Sequence, residues 1–404
     1  MIFFEPGTDN IGTGLILYFG YNYQMYTHKY RCFYDIIDDM SERRKRRNAR
    51  MAIYSVLMTC ASIILLIVAL FCVRRDLKTV EEFNEVNSIL ETVSADFKKL
   101  EDENTALIGK NERLTAKNKL LSETSTGAKF REKLKSMMQS GSSTTQMLKY
   151  FFPDELIYTD QGSFYFAEIN EELKMNGRKA ENYTLNDNGE VEYAEDGEKK
   201  SFKGIDVSKH NGDIDWKSVS AAGVEFAYIR CGIRGYGSGK IEPDVNFEKN
   251  LEGARNAGIK AGVYFFSQAV NEAEAEEEAD TVLALLDGLQ TDLPVAIDIE
   301  KIEGASSTPR TSGLSQEEYT SIALKFCEKI SANGYEPMIY GNIKTFLMML
   351  DMSRLEDIEK WFAGYISDDN YTPYFPYKFR IWQYRSKGKV DGINGDVDMN
   401  IAFY

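Results

Sequence analysis

A run of 23 residues without a charged side chain constrains this sequence more than any other feature. It covers residues 51–73 and reads MAIYSVLMTCASIILLIVALFCV. At 1.5 Å per residue, a helix of this length is about 35 Å long, and the hydrocarbon core of a membrane is about 30 Å thick. The run is longer than the apolar core of a signal peptide and lacks a small-residue cleavage site. The sequence therefore predicts an uncleaved transmembrane helix.

The charges on either side of this run predict its orientation. Six basic residues lie just before it, within 43–50, whereas three basic and two acidic residues follow within 74–81. Because the more basic flank stays in the cytoplasm, we predict a cytoplasmic tail over residues 1–50, a single membrane span, and an extracellular remainder. A start at Met40, with residues 1–39 left out of the protein, is an equal alternative to the full tail.

A heptad pattern predicts a stalk over residues 74–124. Positions 83, 90, 97, 104, 111 and 118 carry Phe, Leu or Asn, and positions 86, 93, 100, 107, 114 and 121 carry Val or Leu. About six such heptads indicate a coiled coil, and Asn at three successive core positions favours a parallel homodimer. The alternative is a lone amphipathic helix.

Two further segments separate the stalk from the C-terminal half of the chain. Residues 125–149 are rich in Ser, Gly, Thr and Lys and read as a linker. Residues 150–203 contain short aromatic alternations split by turn sequences such as Asp-Gln-Gly and Asn-Asp-Asn-Gly, which predicts a small β-rich module.

Strands and helices alternate over residues 204–404. The predicted strands are 204–208, 226–231, 260–266, 294–299, 337–341, 361–365, 380–384 and 397–403. The predicted helices are 215–222, 244–257, 272–288, 315–333 and 343–359. Eight strands and about five helices in this length predict an α/β fold, an irregular (β/α) barrel.

Acidic residues lie at the ends of the predicted strands. Asp206 ends the first strand, Asp298 and Glu300 end the fourth, and Asp396 and Asp398 lie at the start of the last. The first and last strands of a barrel are neighbours, so these side chains can meet at the mouth where barrel active sites lie. Clustered carboxyls raise one another's pKa, as a general acid near neutral pH requires, and paired carboxylates suit glycosidic cleavage. A Mg²⁺ or Ca²⁺ site is the alternative.

Aromatic and amide side chains at the same strand ends predict a sugar-binding groove. Flat rings stack on pyranose faces, and Tyr and Gln add hydrogen bonds, although a single ring of this kind is more often a core residue than a sugar contact. The candidate substrate-binding residues are Tyr264, Phe266, Tyr340, Tyr365, Trp382 and Gln383.

Composition excludes several other classes of protein. The net charge of −15 argues against a nucleic-acid partner. Only two His and five Cys without a CxxC pair argue against a histidine-rich metal centre or a zinc ribbon. We therefore predict neither of these two kinds of metal centre, and we predict no cofactor.

The whole of residues 204–404 resembles the glycoside hydrolase family 25 lysozymes, the N-acetylmuramidases. The matching segments are GIDVSKHNGDIDW, EFAYIRCGIRGYGSGKIEPDVNF, AGIKAGVYFFSQA, PVAIDIE, PMIYGN, WFAGY and IWQYRSKGKVDGINGDVDMN. The resemblance implies an eight-stranded β/α barrel without a metal. It also implies that Glu300 is the general acid, that Asp298 orients the 2-acetamido group or a water, and that Asp206 and Asp398 support them.

The predicted protein is therefore a bacterial hydrolase held at the cell membrane. We expect it to cleave the β-1,4 bond between N-acetylmuramic acid and N-acetylglucosamine in peptidoglycan. The alternatives are a chitin-type hexosaminidase and a non-catalytic adaptor whose barrel only grips glycan.

Overall fold

The computed structural model describes residues 80–160, 162–302, 307–366 and 371–403. The predicted cytoplasmic tail and membrane span lie outside the described residues. None of the described helices is long and apolar enough to cross a membrane. The chain divides into two compact units, residues 1–104 and 105–404.

The first unit is described from residue 80, where helix α1 begins. This helix extends over Val80–Thr124, 45 residues, so its last part belongs to the second unit. It runs without a break through most of the predicted stalk. The coiled coil, which requires a second chain, stays a prediction.

The segment predicted as a linker contains two helices, α2 (Gly127–Gln139) and α3 (Thr144–Phe151). The Thr126 hydroxyl accepts a hydrogen bond from the Lys129 backbone N–H, and Ser143 and Gln146 form a reciprocal capping box. Thr126 and Ser143, two of the residues that suggested a linker, are therefore N-caps, because Ser and Thr favour helix starts as well as loops.

The predicted β-rich module contains two separate small sheets. Strands β1 (Glu155–Asp160) and β2 (Ser163–Glu168) form an antiparallel hairpin. Strands β3 (Tyr183–Leu185), β4 (Val191–Glu195) and β5 (Glu198–Lys199) form a three-stranded antiparallel sheet.

Side chains of the module pack directly against side chains of the barrel that follows it. The guanidinium of Arg178 lies 3.6 Å from the ring centroid of Phe403, and its Nη2 donates to the backbone carbonyl of Phe379. The ring of Tyr183 meets that of Trp382 edge to face, with centroids 5.9 Å apart. Apolar side chains of the module therefore continue the core of the barrel.

Eight strands close into the predicted barrel, in the order β6-β14-β13-β12-β11-β10-β9-β7 with β7 returning to β6. They are β6 (Phe202–Val207), β7 (Phe226–Arg234), β9 (Lys260–Phe266), β10 (Val295–Asp298), β11 (Pro337–Asn342), β12 (Glu359–Ala363), β13 (Ile381–Gly388) and β14 (Val397–Ala402). A short strand, β8 (Ile241–Pro243), pairs with the end of β7. Strand β14 is antiparallel to both of its neighbours.

Four helices pack around the strands: α4 (Trp216–Ala221), α5 (Phe247–Asn256), α6 (Glu272–Leu286) and α7 (Gln316–Ala332). The helix predicted over 343–359 is instead a π-helical turn, Thr345–Met349, followed by a 3₁₀ turn, Met352–Arg354. Asp351 accepts a hydrogen bond from the Ser353 N–H and so begins a new turn.

Alternation along the strands produces two apolar layers. One set of side chains fills the barrel interior, including Tyr228, Met338 and Trp361. The other set, including Phe265 and Phe362, lies in the layer between strands and helices. The interior layer forms a packed floor beneath the mouth at the carboxyl ends of the parallel strands.

Candidate active site

Strand register brings the predicted acids to one mouth of the barrel. Asp206 and Asp398 are direct cross-strand partners, because β14 runs antiparallel to β6 and its start meets the end of β6. Asp298 ends β10 on the same edge, with Glu300 two residues later. Asp396 is exposed and forms an ion pair with Lys389 at 2.7 Å, outside this cluster.

Asp206 is a buried carboxylate held by two amides. Its Oδ2 accepts a hydrogen bond from Gln383 Nε2 at 2.8 Å and from Asn400 Nδ2 at 2.7 Å. Burial raises the pKa of Asp206 to about 6, and the two amide hydrogen bonds oppose that rise. Near neutral pH the mouth therefore contains a fixed anion.

Both amides are oriented by aromatic donors. Trp361 Nε1 donates to Asn400 Oδ1 at 2.8 Å, and the hydroxyls of Tyr340 and Tyr365 donate to Gln383 Oε1 at 2.9 and 3.1 Å. With its oxygen occupied, each amide directs its N–H group toward Asp206. Three aromatic side chains and two amides thus fix the position and ionisation of one carboxylate.

The other three acids of the mouth, Asp398, Asp298 and Glu300, also have raised pKa values. Burial, with repulsion from Asp206 and Glu300, raises the pKa of Asp398 to about 8. Burial and the proximity of Glu300 raise the pKa of Asp298 well above its usual value. The pKa of Glu300 is also raised, by burial and by Asp206, while its contact with Asp298 opposes the rise.

Asp298 and Glu300 therefore act as one titrating pair. Two carboxyls in contact within a buried site do not both ionise readily, because the charge on one raises the pKa of the other. Asp298 Oδ1 is buried without a hydrogen-bond partner among the described residues. A buried carboxyl oxygen without a partner is available to a donor on a ligand, such as an amide N–H.

Four of the five predicted aromatic residues lie in or just below the mouth, and the fifth, Trp382, does not. Tyr264 and Tyr340 face the barrel interior around Trp361, and Phe266 is the register partner of Asp298. Tyr365 is 55% exposed while its hydroxyl reaches into the amide network.

Trp382 does not join the mouth. Its ring is 1% exposed in the outer layer, and its Nε1 donates to the Gly364 carbonyl at 2.7 Å. The reason is strand alternation, since Gln383, the next residue, takes the inward position. Trp382 packs against Tyr183 of the module.

Sequence reasoning missed Trp361 and Asn400, although both lie in strands that it predicted. Asn400 lies two residues after Asp398 and therefore shares its face of β14. The same spacing argument that paired Asp298 with Glu300 was available for it. No such signal pointed to Trp361, because a tryptophan in a strand is ordinarily interpreted as a core residue. Trp361 is a core residue that also donates a hydrogen bond to the site.

A cation also borders the acids. Arg230 follows Tyr228 on the inward face of β7, and its positive charge opposes the rise in the pKa of Asp298. Its guanidinium forms an ion pair with the buried Asp244 at 2.8 Å. Within the described residues, no group of three or more His, Cys, Asp and Glu side chains is arranged to hold a metal ion.

Comparisons with known proteins find relatives of the barrel. Residues 205–393 match the model of glycosyl hydrolases family 25. The autolytic lysozyme of Clostridium acetobutylicum is 28% identical over 200 residues, which cover 49% of this chain and 55% of that protein. Protein YegX of Escherichia coli K12 is 30% identical over 209 residues, covering 50% of this chain and 69% of YegX. A lysozyme structure from Streptomyces coelicolor has 28% identity and a TM-score of 0.42, over 49% of this chain and 90% of that chain.

The chain belongs to glycosyl hydrolase family 25, and the predicted class of enzyme, a glycoside hydrolase, is confirmed. The match spans about half of the length of the clostridial lysozyme. The family model covers residues 205–393, which lie within the barrel.

Proposed function

We propose that this protein hydrolyses peptidoglycan at the β-1,4 bond between N-acetylmuramic acid and N-acetylglucosamine. The observation that carries the proposal is the mouth itself, where Asp206, fixed by two amides, lies among carboxyls whose pKa values burial and mutual repulsion raise. A glycosidase needs one carboxyl that donates a proton and negative charge that stabilises an oxocarbenium-like transition state. Relatives named as lysozymes support the choice of substrate.

In this proposal Glu300 gives its proton to the bridging oxygen as the bond to the anomeric carbon of N-acetylmuramic acid breaks. Positive charge then develops at that carbon, and the Asp206 carboxylate offsets it through space. The unpartnered oxygen of Asp298 accepts the 2-acetamido N–H or positions a water. Water finally supplies the hydroxyl of the new reducing end, and its other proton restores Glu300.

The test is digestion of purified peptidoglycan, followed by borohydride reduction and mass spectrometry. Reduced N-acetylmuramic acid at the new ends supports the proposal. We expect Glu300→Gln to lower the rate by about 10²–10⁴-fold, the usual contribution of a general acid. Asp396→Asn is the matched control, because that carboxyl is exposed and outside the cluster.

Other outcomes of the same digestion would reject the proposal. Reduced N-acetylglucosamine would move the cut to the other bond, and an active Glu300→Gln variant would remove Glu300 as the acid. Glycan binding without new ends, by folded wild-type protein on several wall types, would favour the adaptor.

We also propose that residues 51–73 tether the enzyme to the cell membrane, with the N-terminus in the cytoplasm and the barrel outside. The uncharged run and its basic flank support this orientation. Protease added to intact protoplasts should digest the barrel but leave an N-terminal epitope protected. Recovery of full-length protein in the soluble fraction would contradict the tether.

Exposed leucines on α1 support a parallel homodimer. Leu114 and Leu121, both predicted seam residues, are 42% and 58% exposed, whereas Arg113 and Lys117 bind Glu171 and Asp154 of the module. The module therefore leaves this stretch of the seam free for a second helix. Leu114→Asp with Leu121→Asp should convert a dimer into a monomer in light scattering. A monomeric wild type would refute the dimer.

A further inference from the structure

The tip of the β1–β2 hairpin is fixed to the rim of the catalytic mouth. Asp160, the last residue of β1, is buried, and its two carboxylate oxygens lie 3.0 Å from Lys301 Nζ and 3.0 Å from Lys344 Nζ. Lys301 directly follows Glu300, and Lys344 follows the end of β11. The hairpin, which lies outside the part of the chain that matches the family, therefore contacts the barrel beside the proposed acid.

The two ion pairs of Asp160 persist at neutral pH. The hydrogen bonds from Lys344 and Lys301 lower the pKa of Asp160, so the carboxylate stays charged well into the acidic range. A carboxylate between two ammonium groups, largely shielded from water, resists separation more than a single exposed ion pair does. The hairpin tip is consequently a stable part of the rim.

A stacked pair of tyrosines lies on the same face of the hairpin as Asp160. Tyr158 precedes Asp160 by two residues, which in a strand places both side chains on one face, about 6.6 Å apart along the strand. Tyr165 is the cross-strand partner of Tyr158, and their rings are stacked with centroids 5.4 Å apart at 11°. Tyr165 is 40% exposed, so one flat ring at the rim is open to a ligand.

The opposite side of the mouth carries an open cleft of about 750 Å³. The loop after β6 and the loop between β13 and β14 line it, through Asp213, Asp215 and residues 389–395. In the strand order, β14 is four steps from β10, half of the way around the barrel. The cleft and the hairpin therefore lie on opposite sides of the acids, as the two ends of a groove would.

We propose that the β1–β2 hairpin is an accessory glycan subsite, in which Tyr165, backed by Tyr158, stacks on a sugar of the strand beyond those held at Glu300. The inference rests on the proposed function and adds a preference for long glycan strands. The occupant is a glycan because the exposed ring is flat, continues the mouth of a glycoside hydrolase, and has no charged neighbour other than the paired Asp160 among the described residues on its face of the hairpin.

The test compares Tyr165→Ala with Phe164→Ala in the full-length protein. Phe164 is the adjacent residue of β2, is 49% exposed, and lies on the opposite face of the hairpin. Cleavage is measured on peptidoglycan tetrasaccharide and on long, solubilised glycan strands. We expect Tyr165→Ala to raise KM for long strands about tenfold, a change equal to about 1.4 kcal/mol, with kcat and tetrasaccharide cleavage unchanged. Phe164→Ala should match the wild type on both substrates.

The same variants separate failure of this subsite from failure of the proposed function. If the wild type cleaves glycan and Tyr165→Ala keeps its KM, the subsite is refuted while the function stands. If the wild type cleaves nothing, long-strand binding is measured by sedimentation, and a Tyr165-specific loss supports the subsite without the enzyme. Equal losses in both variants, or vesicle binding that depends on both rings, would replace the glycan subsite with a general apolar surface.

Discussion

The charge on Asp206 is expected to set the pKa of its neighbours, and Asp206→Asn removes that charge with little change of shape. Asp398 is the direct cross-strand partner of Asp206, which puts the carboxyls about 6 Å apart. At an effective dielectric constant of about 20–40, their repulsion is about 1.4–2.8 kcal/mol, or about one to two pKa units. The pKa of Asp398, raised to about 8, should fall by that amount in the variant.

The first assay is the pH dependence of kcat/KM. Removing a negative charge favours ionisation of the neighbouring carboxyls, so the group that must stay protonated loses its proton at a lower pH. Asp206 also raises the pKa of Glu300, the proposed acid, so the basic limb should move toward acid, and Asp396→Asn should leave it in place. An unmoved basic limb in folded Asp206→Asn protein would refute the coupling.

The second assay is chemical unfolding at several pH values, which does not depend on activity. The pKa of Asp206 is about 6 in the folded protein against an ordinary value of 3.8, so the folded state binds more protons between these values. The contribution of Asp206 is therefore lost as pH rises through this window, and it amounts to about 3 kcal/mol. In Asp206→Asn this part of the slope should vanish. A variant as pH-sensitive as the wild type would contradict the raised pKa.

Three further substitutions test the packing around the site. Trp361→Phe removes a hydrogen bond to the amide network and should lower kcat with little change in KM for short glycans; an unchanged kcat would show that the donor is dispensable. Gly392→Ala should lower the unfolding free energy by about 2 kcal/mol or more, because the new Cβ would collide with the Asp215 carbonyl oxygen. Gly395 has the same left-handed backbone but open space around it, so Gly395→Ala should cost about half as much. Trp382→Ala should cost about 3–5 kcal/mol of stability, as loss of a buried aromatic does, and a selective rise in KM instead would place its ring in the groove.

The barrel was predictable because its strands carry strong local signals. The predicted strand over residues 260–266 is β9 itself, and the strand predicted over 337–341 differs from β11 by one residue. Helices α6 and α7 begin at Asn271 and Ser315 N-caps, both legible in sequence. The short strand β8 was missed because three residues leave no periodicity to detect.

The site was only partly predictable, because sequence spacing identifies faces but not hydrogen bonds. The acids were predicted from their positions at strand ends. The choice of Asp398 over Asp396 was not predictable, because it depends on the pairing of β14 with β6 that closes the barrel. Trp382 and Gln383 are adjacent, so one of them had to face outward, and a one-residue difference in register decides which. The ion pairs of Asp160 join residues 141 and 184 positions apart, which no local pattern encodes.

The first and last strands of the barrel begin and end side by side at the end away from the acids, where Phe202 and Ala402 are register partners. Both chain connections at this place are thus remote from the mouth. A short loop joining these positions would allow circular permutation of the barrel, with new termini opened in a surface turn such as that after α5. The barrel, together with the module that packs against it through Tyr183 and Arg178, can therefore be joined to another chain without the junctions entering the mouth.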